Sequence, residues 1–202
     1  ESLIALPETY YTAFGSYLNL KIEEGDRVLV RAATSGVGIA FAKLLKGQFP
    51  KAYLAGSSRS LSKEKQLKEA GFDQVILDKD GVLQTEEQFD KVLDLVGPSA
   101  ILDTFSRTTD GGMICSCGLL GGQWTIPDFD PIEMLYRNLY LTTFASGNVS
   151  QDKLQALVDF VERYQVDVRP EKVFSIEQIQ DAHAYLESSQ SFGKVIVKIE
   201  DK

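Results

Sequence analysis

Short runs of β-branched and other apolar residues alternate along this chain with segments of helical period. That is the pattern of βαβ units around a parallel sheet. Residues 27–32 read as a first strand, opened by a turn at Gly25 and Asp26, and residues 37–46 as a helix. Further strands are predicted over 52–55, 75–77, 91–96, 113–117 and 139–144. Helices are predicted over 61–70, stopped by Gly71, and over 100–107. The last of these strands is apolar, as suits a strand covered on both faces. An amphipathic helix follows over 151–164, with Leu154, Leu157, Val158 and Val161 on one stripe. Pro170 breaks the chain, and residues 173–202 read as strand, helix and strand belonging to a different sheet. The expectation is an α/β chain with a doubly wound parallel six-stranded sheet and a C-terminal strand-helix-strand extension.

The turn after the first strand, AATSGVGIA, carries the chemistry. Where a dinucleotide loop has G-x-G-x-x-G, this turn has Ala33, Ser35 and Gly38, with an extra Gly36. A strand, a tight small-residue turn and a helix N-terminus present free amides and partial positive charge to an anion. Gly38 fits the place where helix packs on strand. Ala33 can open the turn while its φ stays negative. Ser35 can stand for a glycine when the phosphate sits slightly further out, its hydroxyl then donating. The turn is competent for a pyrophosphate, and an ordinary strand-to-helix connection would use the same residues.

The end of the second strand reads Gly56, Ser57, Ser58, Arg59, followed by Lys63 and Lys65. An NAD enzyme places Asp or Glu there against the ribose 2′-hydroxyl. Hydroxyls and cations instead suit a 2′-phosphate, so NADPH is the expected cofactor. The alternative is a solvated polar turn and a charged helix face, to which Lys65 belongs.

Charge and composition narrow the class. The 202 residues carry 44% hydrophobic side chains, enough for one core, and a net charge of −8, which disfavours nucleic acid as a partner. No apolar run approaches the roughly 20 residues of a membrane span. There is no signal peptide, and a start at Glu1 suggests an excised or processed piece. Cys115 and Cys117 lie on a predicted buried strand, too close together for ordinary disulfide geometry, and a reducing, cytoplasmic home is expected. His183, the single histidine, is far from both, so no metal site is expected; it reads as a partly packed residue of a late helix. Trp124, Tyr136 and Tyr140 read as core or interface.

Taken together, LPETYYTAFGSYL, GDRVLVRAATSGVGIAFAKLL, LAGSSRSLSKEKQLKEAGFDQVI, FDKVLDLVG, GGMICSCGLLGG and GKVIVKI resemble the zinc-independent quinone oxidoreductase branch of the medium-chain dehydrogenase/reductase superfamily. The resemblance covers essentially the whole chain and implies a Rossmann fold. It implies a pyrophosphate near Thr34, Ser35, Gly36, Val37 and Gly38, and a 2′-phosphate near Ser57, Ser58, Arg59 and Lys63. It sets Val96 and Gly97 near the ribose and adenine, and Leu119 with the loop ending Gly121–Gly122 along the nicotinamide. Phe144, Ala145 and Ser146 would reach the nicotinamide amide. Where the family often has a tyrosine after its third strand, this chain has Asp78, a carboxylate that opposes a 2′-phosphate unless it points away.

The resemblance also implies an organisation: residues 1–26 as a linking helix segment, 27–166 as the Rossmann NADP(H)-binding domain, and 167–202 as a segment returning to an N-terminal catalytic lobe outside this chain. It implies hydride transfer from NADPH to a quinone or α,β-unsaturated carbonyl, and a homodimer formed through the sixth strand. The catalytic proton donor is unknown from these residues. A non-catalytic dinucleotide-binding module is the competing class. A short-chain dehydrogenase would need a Tyr-x-x-x-Lys pair well after the loop, and Tyr17 and Lys21 have that spacing before it. A methyltransferase would want an acid where Ser57 and Ser58 stand.

Overall fold

The first strand of the sheet, β1 (Arg27–Arg31), shows how the pattern becomes structure in the computed structural model, which describes residues 4, 6–188 and 190–199. Val28 and Val30 enter the core on one face of the sheet and Leu29 the core on the other, all without solvent exposure. That is the period-two alternation of a strand covered on both sides. Each such side chain contributes roughly 1.5–3 kcal/mol by leaving water.

Beside β1 lie β2 (Tyr53–Ser58), β3 (Gln74–Lys79) and a two-residue β4 (Val82–Leu83) on one flank. On the other lie β5 (Phe89–Asp94), β6 (Thr108–Ser116) and β7 (Tyr140–Thr142). The strand order is β4-β3-β2-β1-β5-β6-β7, parallel except for the β3–β4 hairpin. The sheet therefore has seven strands rather than the expected six. The added one is made by the turn at Asp80 and Gly81, both at positive φ, too short a segment to show a period. Strand ends also move: β2 runs on through Gly56, Ser57 and Ser58, and the last strand shortens to Tyr140–Thr142.

Helix α1 (Tyr11–Leu20) and α2 (Gly36–Gln48) cover one face with α6 (Gln151–Arg163). On α6 the apolar stripe buries Leu157 completely, while Leu154 stays 36% exposed. The stretch expected as one helix over 61–70 is a 3₁₀ turn at Leu61–Lys63 followed by α3 (Glu64–Glu69). Helix α4 (Ile101–Ser106) lies on the other face, where Ile101 and Phe105 meet Ile76, Val92 and Ile114. A short α5 (Pro131–Met134), capped by Asp130, was not foreseen.

The tail forms its own two-stranded parallel sheet, β8 (Lys172–Ser175) with β9 (Val195–Lys198), joined through α7 (Ile179–Glu187). His183 is exposed on α7 rather than partly packed. The expected end of the tail, residues 200–202, lies outside the described residues, as do 1–3 of the linking segment. Among the described residues no helix is long and apolar enough to cross a membrane.

Candidate functional site

The chain order reverses at β1, whose neighbours β2 and β5 leave in opposite directions. A crevice opens beyond the carboxyl ends of the strands at such a point, and the turns that the sequence singles out meet there.

β1 ends sharply. Ala32 sits at φ +60, in the left-handed region, so the strand stops one residue earlier than expected. The Ala32 amide donates to Ser57 Oγ at 3.2 Å and the Ala33 amide to the Ser57 carbonyl at 2.9 Å. Ser57 is fully buried by this work. It holds the turn and does not face the mouth, which separates it from the other residues predicted at the 2′-phosphate. Ser35 is the N-cap of α2: its Oγ accepts from the Gly38 amide at 3.1 Å and its own O–H remains able to donate outward. The amides of Gly36 and Val37 have no acceptor inside the helix, as at any helix start. Gly38 has the predicted packing role, for a Cβ there would lie 2.7 Å from the Ala33 carbonyl oxygen.

Ser58, half-buried, and Arg59, exposed, follow at the end of β2. Lys63 comes back toward them from the 3₁₀ turn. Its ammonium pKa is lowered by burial and by the Arg59 charge nearby. Among the described residues no carboxylate pairs with either Arg59 or Lys63. Two neighbouring cations without an anion, in a chain of net charge −8, form a corner suited to one. Asp78 points away from it, into an ion pair with Arg31 at 2.6 Å.

At the end of β5, Asp94 Oδ1 accepts from the amides of Val96 at 2.9 Å and Gly97 at 2.8 Å. Burial raises the Asp94 pKa, with the Gly97 amide the largest opposing influence. Gly97 has φ +87, and a Cβ there would meet the Gly118 carbonyl oxygen at 2.4 Å. The Leu120 amide donates to the Leu95 carbonyl at 3.2 Å and that of Gly121 to Val96 at 2.9 Å. The two turns predicted at adenine and nicotinamide are thus laced together. Leu119 is 38% exposed beside them. A shallow depression of about 520 Å³ is lined by Pro98, Ser116, Ile126, Leu141 and Thr142. Phe144 turns its ring toward α1, edge-on to Tyr11 at 5.4 Å and over Gly15. Ser146 follows, half-buried.

One contributor went unseen in the sequence. The tail crosses the glycine turn: the Gly193 amide donates to the Thr34 carbonyl at 3.3 Å, and Lys63 Nζ donates to the Ser191 carbonyl. Lys194 Nζ donates to Thr9 Oγ1 at 2.8 Å. The positive φ of Gly193 makes the bend. GKVIVKI shows a strand but nothing of where it docks.

Cys115 is buried and Cys117 half-buried, both as free thiols. The Cys117 Sγ lies 3.3 Å from Ser16 Oγ. Hydrogen bonding to Cys117 and burial push the Cys115 thiol up, while the same contact lowers that of Cys117. Among the described residues no three His, Cys, Asp or Glu side chains converge as metal ligands would.

A doubly wound sheet with a capped helix start at its switch point defines a Rossmann-type dehydrogenase fold. The family model of the zinc-binding dehydrogenases matches residues 70–197, and the chain belongs to that family, within the medium-chain dehydrogenases/reductases. It is 29% identical over 200 residues to the 2-methylene-furan-3-one reductase of Solanum lycopersicum, covering 96% of this chain and 45% of that protein. It thus spans about half the length of that curated relative. The crystal structure of Bacillus subtilis yhfP with NAD bound superposes with a TM-score of 0.82 at 23% identity, over 98% of this chain and 63% of the other. The yhdH oxidoreductase of Salmonella enterica in complex with NADP gives 0.80 at 19%, over 98% and 63%. The last two likenesses establish the fold alone.

Proposed function

We propose that this chain is the NADPH-binding part of a zinc-independent, cytoplasmic oxidoreductase that reduces a quinone or an α,β-unsaturated carbonyl. The observation that carries the choice of NADPH is the corner formed by Ser58, Arg59 and Lys63, where among the described residues neither cation is paired with a carboxylate. The relatives support the class: one is named for an enone-type reductase, and solved neighbours hold NAD in one case and NADP in another.

The residues fit such a cofactor. The amides of Gly36 and Val37, with the outward hydroxyl of Ser35, would hold the pyrophosphate at the start of α2. Val96 and Gly97, fixed by Asp94, would flank the ribose, and Leu119 the nicotinamide. Bound there, the reduced nicotinamide supplies a hydride. The chain's own residues position it, exclude water at the laced β5 and β6 turns, and leave the face toward the acceptor open. Residues 167–202 would return to the lobe that holds the acceptor, and residues 1–26 would lead from it. The apolar edge strand β7 would pair with a second copy to give a homodimer.

Calorimetric titration with NADPH and NADH tests the proposal. NADPH is expected to bind more tightly. Ser35→Ala removes the cap, costing about 1 kcal/mol of stability, and weakens both nucleotides alike. Arg59→Gln should weaken NADPH alone. Equal affinity for the two nucleotides would remove the 2′-phosphate assignment. Turnover by this chain alone is expected to be negligible; full turnover would refute the need for a separate acceptor lobe.

A further inference from the structure

We infer that the buried Arg31–Asp78 ion pair sets the preference between phosphorylated and unphosphorylated nicotinamide dinucleotides, by neutralising a carboxylate that the sheet register delivers to the 2′-phosphate corner. The inference rests on the cofactor assignment above. In the β2–β3 register Ser57 stands opposite Ile76 and Ser58 opposite Leu77. Arg59 follows directly on Ser58 and Asp78 on Leu77, so both stand at the same end of these neighbouring strands. A free carboxylate there would repel a phosphate dianion and favour a plain ribose hydroxyl.

Asp78 is instead turned into the protein. Its Oδ2 accepts from Arg31 Nη2 at 2.6 Å and its Oδ1 from the Gly81 amide at 3.0 Å. The Arg31 side chain has no exposure and that of Asp78 only 7%. Arg31 reaches there from β1, past β2, while also donating to Asp103 Oδ2 at 3.0 Å and Thr104 Oγ1 at 2.9 Å. Thr104 in turn donates to Asp94 Oδ2 at 2.8 Å. One guanidinium therefore stands among the carboxylates of Asp78, Asp94 and Asp103, helped only at a distance by Arg107, 3.8 Å from Asp103. Charges buried this deeply are weakly screened. Removing either member of the pair changes the field at the neighbouring corner by a full charge.

Calorimetric titration of the whole 202-residue chain with NADPH and NADH, and with 2′,5′-ADP and 5′-ADP as nicotinamide-free probes, tests this. Asp78→Asn leaves Arg31 its polar neighbour but cancels the negative charge. It should raise the ratio of NADPH to NADH affinity about five- to tenfold. Arg31→Gln should lower that ratio by a similar factor, and Arg31→Lys, which keeps the charge, should hold it within about twofold of the parent. The two adenosine probes should show the same shifts. A pair that merely held the fold together would weaken both nucleotides by one factor. An unmoved ratio in Asp78→Asn with binding intact therefore overturns the inference and leaves the cofactor assignment standing. Should Arg31→Gln fail to fold, the Asp78→Asn ratio decides alone. If the parent chain binds none of the four probes, the cofactor assignment falls and takes the inference with it.

Discussion

The seven-stranded sheet and the β8–α7–β9 extension are built from the same kinds of residue but differ in how much of themselves they can cover. In the sheet, Leu29, Val30, Leu54, Val92 and Ile114 are fully buried because helices lie on both faces. In the extension, Val173, Ile176, Ile179 and Leu186 remain 39–50% exposed, and α7 buries Ala182 alone. A two-stranded sheet with one helix cannot enclose a core of its own. What holds the extension is Phe192, buried in the core on one face of the sheet, and a polar rim: Lys43 to Glu171 at 3.0 Å, Lys194 to Thr9, and the Gly193 amide on Thr34. The contrast teaches that stability and site geometry reside in the sheet, while the extension is a lightly attached strap that nevertheless touches the glycine turn.

The strongest way to break this comparison is at the sheet's C-terminal turns. A Cβ at Gly118 would lie 2.1 Å from the Leu95 carbonyl oxygen and 2.3 Å from its Cα, backbone that cannot swing aside. Gly118→Ala should cost about 3 kcal/mol or more, read as a fall in melting temperature of roughly 6–12 °C. A loss below 1 kcal/mol would show that these turns are not tightly laced.

A matched pair of truncations sharpens the contrast. Leu157→Ala, at a fully buried position of α6 in the core shared with α1, should cost about 2–5 kcal/mol in a denaturant titration. Leu186→Ala, half exposed on α7, should change stability by no more than about 0.5 kcal/mol. Equal costs would mean that the extension is covered in solution by something that buries its apolar face.

The smallest effects concern pH, and their limbs divide between the two regions. Burial holds the Tyr17 phenol, bonded to Gln48 Oε1 at 2.6 Å, well above its ordinary range, and does the same to Tyr10. The unfolded chain releases these protons near pH 10 while the folded chain keeps them. The folded state then binds more protons, so stability falls as pH rises above that value. At the junction with the extension, hydrogen bonds from Arg169 lower Asp167 from 3.8 to about 2. Its contribution is present above the ordinary value and is lost as pH falls from about 4 toward about 2. Because Asp167 is largely exposed, solvent screens this limb. Tyr17→Phe should flatten the alkaline limb and Arg169→Gln the acid one, as followed by chemical unfolding at stepped pH.

Much of this was legible in the sequence for a definite reason. Alternating apolar runs fix a two-faced strand wherever it lies, so the parallel strands and the helices over Gly36–Gln48 and Gln151–Arg163 follow from period alone. The glycine turn was legible because Gly38 answers a local steric demand. The roles of Ser57 and Arg31 were not. Ser57 looks like a ligand on a polar strand end, yet register places its hydroxyl under the Ala32 amide. Arg31 looks like one more strand residue, yet it meets Asp78, Thr104 and Asp103, 47, 73 and 72 positions away.

The amino-acid order by itself determined six of the sheet's seven strands, the capped helix start and the cationic corner, because each depends on neighbours within a turn or a period. Only the tertiary structure decided that Asp78 is neutralised by Arg31, that Ser57 is spent on the turn, and that residues 191–194 cross the crevice. These are meetings between distant segments, fixed by strand register and by the burial of charge, and no local pattern encodes them.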